Sequence, residues 1–494
     1  VLIASNSRIY ILGAGMAGRA IAKEILAKRS MGRVVAFLDD DPAKIGERID
    51  SIPVLGPIRD VVSLIKRSPA DIAFIALPGI GKEAIRELYE LLIAAGFIRI
   101  LIVPDLAQIL EGDAHLVQAR EIRPEDVLGR SPVAIGLIDC LEGLKGKRVL
   151  VTGAGGSIGS EICRQMLDAG VERLYLFGHG EASIHCIEKE LELLQQGGVG
   201  VKTQIVPVIG ELKDASYMRF IMQRLKCDVV FHAAAYKHVP LMERNPVAVM
   251  ENNVLGTRNL IEACLASDVG RFALISTDKA VEPSSMYGAS KKISELLALD
   301  AARRAKPGTA YMVVRFGNVL GSRGSIMPLF KGQIDAGGPV TITDPRAKRF
   351  FMTIPEACSL VIKAAGIGTN GSLYVLDMGE AVSIRELAEQ MIRFYGYQPD
   401  VDIRIEYIGM RPGERLEEKL WSGQERPMPS GYARILSLAS SEPEADLTSF
   451  IEKLEGICSL RPGSEETYRD RRALRSLVSS LLPSVPEVAD EPRF

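Results

Sequence analysis

Short apolar runs alternate with amphipathic stretches along most of this chain. Arg8-Ile9-Tyr10-Ile11-Leu12 predicts a buried strand. It runs into a glycine turn, Gly13-Ala14-Gly15-Met16-Ala17-Gly18, and then a helical pattern through Ile21, Ile25 and Leu26. Val34 to Leu38 predicts a second strand, ending at Asp39-Asp40-Asp41-Pro42. Ile72 to Leu77 and Ile98 to Val103 read as further strands around a helix from Ile85 to Ala94. Residues 113–143 have little periodicity and read as a connector. A second strand–glycine–helix unit starts at Lys147, with later strands at 174–177, 204–208, 229–232, 272–275 and 312–315. Alternating strands and helices predict an α/β architecture with two doubly wound parallel sheets. The expected domains are residues 1–112, the connector 113–143, a second domain 144–435 and a helical tail 436–494. The loop-rich stretch from 317 to about 430 is expected over the carboxyl ends of the strands, where such sheets bind ligands. The tail has amphipathic patterns near Leu447 to Leu454 and Leu474 to Leu482. Its last ten or so residues, with Pro486 and Pro492, are expected to be disordered.

Composition narrows this picture little. At 494 residues the chain exceeds a single core. A net charge of -2 gives no electrostatic case for a nucleic-acid partner. Seven dispersed cysteines read as reduced thiols of a cytosolic compartment. The five histidines (His115, His179, His185, His232 and His238) lack metal-ligand spacing, so no metal is expected. No run approaches the ~20 apolar residues that span a bilayer. The sequence begins at Val1 rather than Met, which leaves room for a membrane anchor upstream.

The chemistry sits in a few strings. Gly153, Gly156 and Gly159 follow the apolar run Val149-Leu150-Val151. They let backbone N–H groups, those of Ser157 and Ile158 among them, approach a pyrophosphate at a helix N-terminus. Tight packing alone also accounts for such a turn. Gly13, Gly15 and Gly18, with Asp39 after the next strand, form a second Rossmann-like fingerprint and a candidate second nucleotide site. No catalytic set lies beside it, so binding, regulation and scaffolding are equal readings. Tyr287 and Lys291 are four apart and share a helix face, with Ser284 or Ser285 placed to cap that helix. An ammonium near a phenol favours the phenolate, which makes Tyr287 a usable base for a sugar hydroxyl. A plain surface Tyr–Lys pair is the bland alternative.

Together these strings resemble the extended short-chain dehydrogenase/reductase superfamily. His232-Ala233-Ala234-Ala235-Tyr236-Lys237-His238 and Glu251-Asn252-Asn253 resemble its cofactor-side loop and the following helix. Ser276-Thr277-Asp278-Lys279, Arg315-Phe316-Gly317-Asn318 and Arg411-Pro412-Gly413-Glu414 resemble one branch, the CapD-like nucleotide-sugar 4,6-dehydratases of bacterial polysaccharide biosynthesis. Larger members of that group carry an extra N-terminal nucleotide-fold domain, usually behind membrane helices.

The resemblance implies a tightly bound NAD or NADP, with NAD favoured, and a UDP-linked N-acetylhexosamine, most simply UDP-N-acetylglucosamine, as substrate. It implies Asp278 as acid for the departing water and Lys279 as base at carbon 5, held partly neutral by burial and nearby positive charge. Thr277 or Ser276 would hydrogen-bond the hydroxyl at carbon 4. Asp278 and Lys279 can share a site only if their strand ends by Thr277. Ala233, Ala234, Ala235 and Asn253 would face the cofactor, and Lys237 and His238 the substrate. Arg411 and Glu414 are candidates for the nucleotide half, since a guanidinium suits a diphosphate, with Asn318 and Lys331 beside them. Larger members often carry methionine where Tyr287 stands. Gly178 occupies the place of the usual ribose-binding acid, for which Glu181 is the candidate substitute, and Glu211 stands where an Asp near the adenine is usual. A 4-epimerase and a nucleotide-sensing regulator of polysaccharide assembly are the alternatives. Homo-oligomers at the cytoplasmic face of a membrane, or in the cytoplasm, are expected.

Overall fold

β1 (Arg8–Leu12) is apolar on both faces, and Ile9 through Leu12 are completely buried, as a central parallel strand requires. The computed structural model describes residues 7–27, 32–77, 80, 82–102, 120–121, 141–440, 446–460, 465–488 and 491–492. Two compact units meet in sequence at Glu142 and Gly143. In the first, β1 pairs in parallel with β2 (Arg33–Leu38) and β3 (Ile72–Ile75), and β3 with β4 (Arg99–Ile102). Helices Met16–Ala27 and Lys82–Ala95 connect them. β5 (Arg120–Glu121) closes the edge antiparallel to β4, giving the order β2-β1-β3-β4-β5. Part of the stretch read as a connector is therefore sheet. Residues 113–119 and 122–140 lie outside the described residues.

The second unit is built on a nine-stranded sheet. β6 (Arg148–Thr152), β7 (Arg173–Gly178), β8 (Gln204–Ile209), β9 (Val229–His232), β10 (Arg271–Thr277), β11 (Ala310–Phe316) and β12 (Leu373–Leu376) are parallel. β13 (Glu425–Pro429) and β14 (Ile435–Ser440) extend it antiparallel, in the order β8-β7-β6-β9-β10-β11-β12-β14-β13. The chain winds outward from β6 one way, then returns to lay β9 on its other side. That reversal leaves a crevice at the carboxyl ends of β6 and β9, where Thr152 and His232 are register partners.

β14 lies inside the sheet, so the expected boundary at residue 435 cuts through the start of a strand. Ile435-Leu436-Ser437-Leu438 lacks a strict apolar–polar alternation, so no local pattern separates this strand from the tail. The two tail helices are Leu447–Cys458 and Arg471–Leu481. The expected disorder at the end is corrected in part. Val485 is buried, and Glu491 is 3% exposed and accepts from Arg475 at 2.7 Å. Residues 489, 490, 493 and 494 lie outside the described residues. Among the described residues no helix is long and apolar enough to cross a membrane.

Candidate active site

β6 leaves the sheet at Thr152, and the chain turns through Gly153 at φ +67° into helix Ser157–Asp168. A Cβ on Gly153 would lie 2.8 Å from the backbone of Ala234, and one on Gly159 would lie 2.1 Å from the carbonyl oxygen of Gly153. Only glycine lets this turn close against the loop after β9. The first N–H groups of a helix have no intrahelical partner, and Arg323 reaches the same turn, donating to the Gly155 carbonyl at 2.9 Å. The backbone N–H of Arg323 also donates to Ser157 Oγ, at 3.0 Å. Donors at a helix N-terminus, a backbone stripped of Cβ atoms and a guanidinium together suit a dinucleotide pyrophosphate.

The loop after β9 is fixed from below. His232 is hydrogen-bonded to Thr152 Oγ1 at 2.7 Å and to Thr257 Oγ1 at 2.8 Å. Burial, with Lys291 adding to it, takes its pKa down to about 3, so the ring stays neutral. Asn253, in a π-helical turn at Met250–Leu255, accepts from Tyr236 N at 2.9 Å and donates to Tyr236 O and Ser290 Oγ at 3.0 Å each. It therefore ties Ala233–Tyr236 to the helix that carries Tyr287 and Lys291.

β10 ends at Thr277, and Asp278–Ala280 form a 3₁₀ turn. The change of geometry brings two consecutive side chains together. Lys279 Nζ donates to Asp278 Oδ1 at 2.9 Å and to Asn318 Oδ1 at 2.9 Å. Thr277 Oγ1 donates to Asp278 Oδ1 at 2.9 Å. Asp278 is completely buried, and its Oδ2 has no hydrogen-bond partner. Ser285 caps helix Met286–Arg304, its Oγ accepting from Gly288 N at 3.0 Å, and the first turn of that helix carries Tyr287. Burial pushes the Tyr287 phenol up to about 12. Lys279 and a hydrogen bond with Thr277 pull it down, while Asp278 and Glu418 push it up. Lys291 donates to the Ile275 carbonyl at 2.7 Å, and burial lowers it to about 8 against the pull of Glu295.

The profile of a family described as polysaccharide biosynthesis protein matches residues 149–439. The chain belongs to that family. It is 41% identical over 422 residues to the probable polysaccharide biosynthesis protein EpsC of Bacillus subtilis, covering 85% of this chain and 69% of that protein. It is 40% identical over 427 residues to the capsular polysaccharide biosynthesis protein CapD of Staphylococcus aureus, covering 86% and 70%. The solved structure of Pen from Bacillus thuringiensis aligns with TM-score 0.54 and 32% identity, over 60% of this chain and 90% of that one. Residues 4–104 match a profile described as a CoA-binding domain. The CapD-like resemblance and the Rossmann-type α/β architecture are both borne out.

Within this polysaccharide-biosynthesis scaffold some residues chosen from sequence stand elsewhere. Lys279 is not held neutral. Burial works against its ammonium, but Asp278, Glu418 and Tyr287 outweigh burial and hold its pKa above the usual lysine value. Lys279 is a cation that pulls the Tyr287 phenol down. Ser276 turns to the buried Glu295, at 2.5 Å, which leaves only Thr277 at the site. Lys331 pairs with Asp335 one turn on and lies over the Tyr395 ring. Arg411 and Glu414 bond each other, and Arg411 is exposed. Glu181 begins the helix after β7 and is exposed; Glu211, also exposed, pairs with Lys213 at 3.5 Å. Lys237 reaches Ser322 Oγ at 3.4 Å. Burial and the charge of Lys279 lower its pKa. His238 packs where a Cβ on Gly324 would stand, and burial followed by Lys237 lowers it as well.

Three residues at the site went unread. Arg323 crosses to the glycine turn, as above. Arg415 donates to Ser284 Oγ and Val281 O, both at 2.9 Å. Glu418 lies 3.9 Å from the Lys279 ammonium with its side chain 5% exposed. All three are charged residues in loops, where no periodicity marks an inward side chain.

In the N-terminal unit, Gly13 and Gly18 are held by packing. A Cβ on Gly18 would lie 1.9 Å from Gly13 O, whereas one on Gly15 would meet nothing within 4 Å. Asp39 accepts from Ala14 N at 2.7 Å and Asp41 N at 2.9 Å, and pairs with Lys44 at 3.2 Å. Burial opposes its charge, but these partners outweigh it and lower its pKa. A carboxylate engaged in this way serves the turn itself before any ribose.

Proposed function

We propose that the chain is a nucleotide-sugar 4,6-dehydratase acting on a UDP-linked N-acetylhexosamine, with UDP-N-acetylglucosamine as the first substrate to try. The observation that carries this reading is the buried Asp278, bonded to Lys279 and beside Tyr287, with one carboxyl oxygen unsatisfied. An epimerase needs a tyrosine-type base at carbon 4 but has no use for a buried acid–lysine pair.

A nicotinamide dinucleotide, when bound, supplies the acceptor and later the donor of a hydride. Gly153, Gly156, Gly159 and Arg323 would hold its pyrophosphate. Glu181, at the start of the helix after β7, favours NAD over a 2′-phosphate. Tyr287 takes the hydroxyl proton at carbon 4 as the phenolate, favoured by the Lys279 ammonium and by Thr277. The ketone formed at carbon 4 acidifies the proton on carbon 5. The ammonium of Lys279 and the carboxylate of Asp278 are joined by a 2.9 Å hydrogen bond. One proton moving along it leaves an amine to take the carbon 5 proton and an acid to protonate the departing hydroxyl at carbon 6. Elimination then restores both charges. Lys237, His238 and Asn318 would suit the anionic diphosphate and the sugar.

The test is the product mass after incubation with UDP-N-acetylglucosamine and NAD. Loss of one water is expected. An unchanged mass with a galacto-configured product would mean epimerisation, and no turnover would favour a sensor.

A further inference from the structure

Two carboxyl oxygens beside the Lys279 ammonium, Asp278 Oδ2 and Glu418 Oε2, are buried without a hydrogen-bond partner. Leaving such an atom unsatisfied is costly, and folded proteins rarely do so without reason. Asp278 already has its reason in the departing hydroxyl. Glu418 has none in the reaction just described.

The residues around Glu418 anchor its loop. Its loop is tied on one side by Arg349, which donates to Arg415 O at 2.6 Å and Leu416 O at 2.8 Å. Arg415 anchors the same side to Val281 and Ser284. On the other side Lys419 pairs with Glu282 at 2.9 Å. The charges facing the carboxyl are Lys279, Asp278, Arg349 and Arg415, and burial prevails among these influences to raise its pKa. A carboxyl whose side chain is 5% exposed, with one oxygen unsatisfied and the other 3.9 Å from the Lys279 ammonium, is prepared for a ligand group.

We infer that Glu418 recognises the sugar ring of the substrate, its Oε2 hydrogen-bonding a hydroxyl or amide N–H of the pyranose while Lys279 holds Oε1. This rests on the nucleotide-sugar reading and extends it by assigning a residue that discriminates the sugar from the nucleotide alone. It acts by binding, not by moving a proton of the reaction.

Calorimetric titration of the full chain, loaded with NAD, tests it. UDP-N-acetylglucosamine and UDP are titrated into the wild type, Glu418→Ala and Glu418→Gln. Loss of one buried, charge-assisted hydrogen bond predicts about ten- to hundredfold weaker binding of the UDP-sugar to Glu418→Ala, with UDP binding unchanged. Glu418→Gln, which keeps an acceptor, should fall between. Equal weakening of sugar and UDP, or no change in either, would overturn the assignment. A wild type that dehydrates the UDP-sugar while Glu418→Ala binds it normally defeats this inference alone. A wild type that binds UDP and UDP-sugar equally, without turnover, defeats the nucleotide-sugar reading with it.

Discussion

Replacing Lys279 by alanine removes the ammonium that donates to Asp278 at 2.9 Å. The variant leaves a completely buried carboxyl whose remaining described partner is the Thr277 hydroxyl at 2.9 Å, and it strips Glu418 of its neighbouring charge at 3.9 Å. Breaking a buried pair by deleting one member costs about 3–5 kcal/mol if the other stays ionised. The variant should therefore be about 3–5 kcal/mol less stable than wild type. Urea unfolding followed by the fluorescence of Trp421, the only tryptophan and three residues from Glu418, reads this unit directly. NAD binding should survive, and dehydration should fall by at least about a thousandfold, since it loses both a base and the proton donor to Asp278. A variant as stable as wild type, or dehydration at the wild-type rate, would refute this account of the cluster.

Other perturbations address separate parts. Tyr287→Phe should leave the fold intact and slow oxidation at carbon 4 by about 10²–10⁴-fold, seen as the loss of transient nicotinamide reduction in stopped flow. Gly159→Ala places a methyl 2.1 Å from Gly153 O and should abolish NAD binding in titration while the second unit still unfolds cooperatively. Lys291 is lowered to about 8 from 10.5, so the folded state carries a penalty at neutral pH that vanishes as pH rises through that interval. Lys291→Met should accordingly gain stability near neutrality, lose the gain above about pH 10, and bind NAD more weakly. Arg315→Met breaks the completely buried contacts to Glu295 and Glu425 and should cost about 3–5 kcal/mol, measured by denaturant midpoint.

Much of the architecture was legible because buried parallel strands are continuous apolar runs. Val149–Val151 and Phe272–Ile275 could be placed within a residue or two for that reason. The two antiparallel strands that widen the second sheet were missed. They carry Pro427 and Pro429 in one and Ser437 and Ser440 in the other, and strands near an edge need no apolar run. At the site, Ser285 as cap, the strand end at Thr277 and the closure of the glycine turn all followed from residue type and spacing. The charge state of Lys279 did not. It depends on Glu418, 139 residues away in sequence, and on burial that no local pattern reports. Likewise Arg411 and Glu414 were chosen for their chemistry, whereas the same loop turns Arg415 and Glu418 inward.

The most direct test is to run the wild-type chain with NAD and UDP-N-acetylglucosamine in deuterium oxide and to weigh and locate the label in the product. Proton removal at carbon 5, water loss from carbon 6 and internal hydride return predict a product lighter by one water and carrying a single solvent deuteron at carbon 5. A product of unchanged elemental composition, or a dehydrated one without deuterium at carbon 5, would contradict the pairing of Asp278 and Lys279 as acid and base.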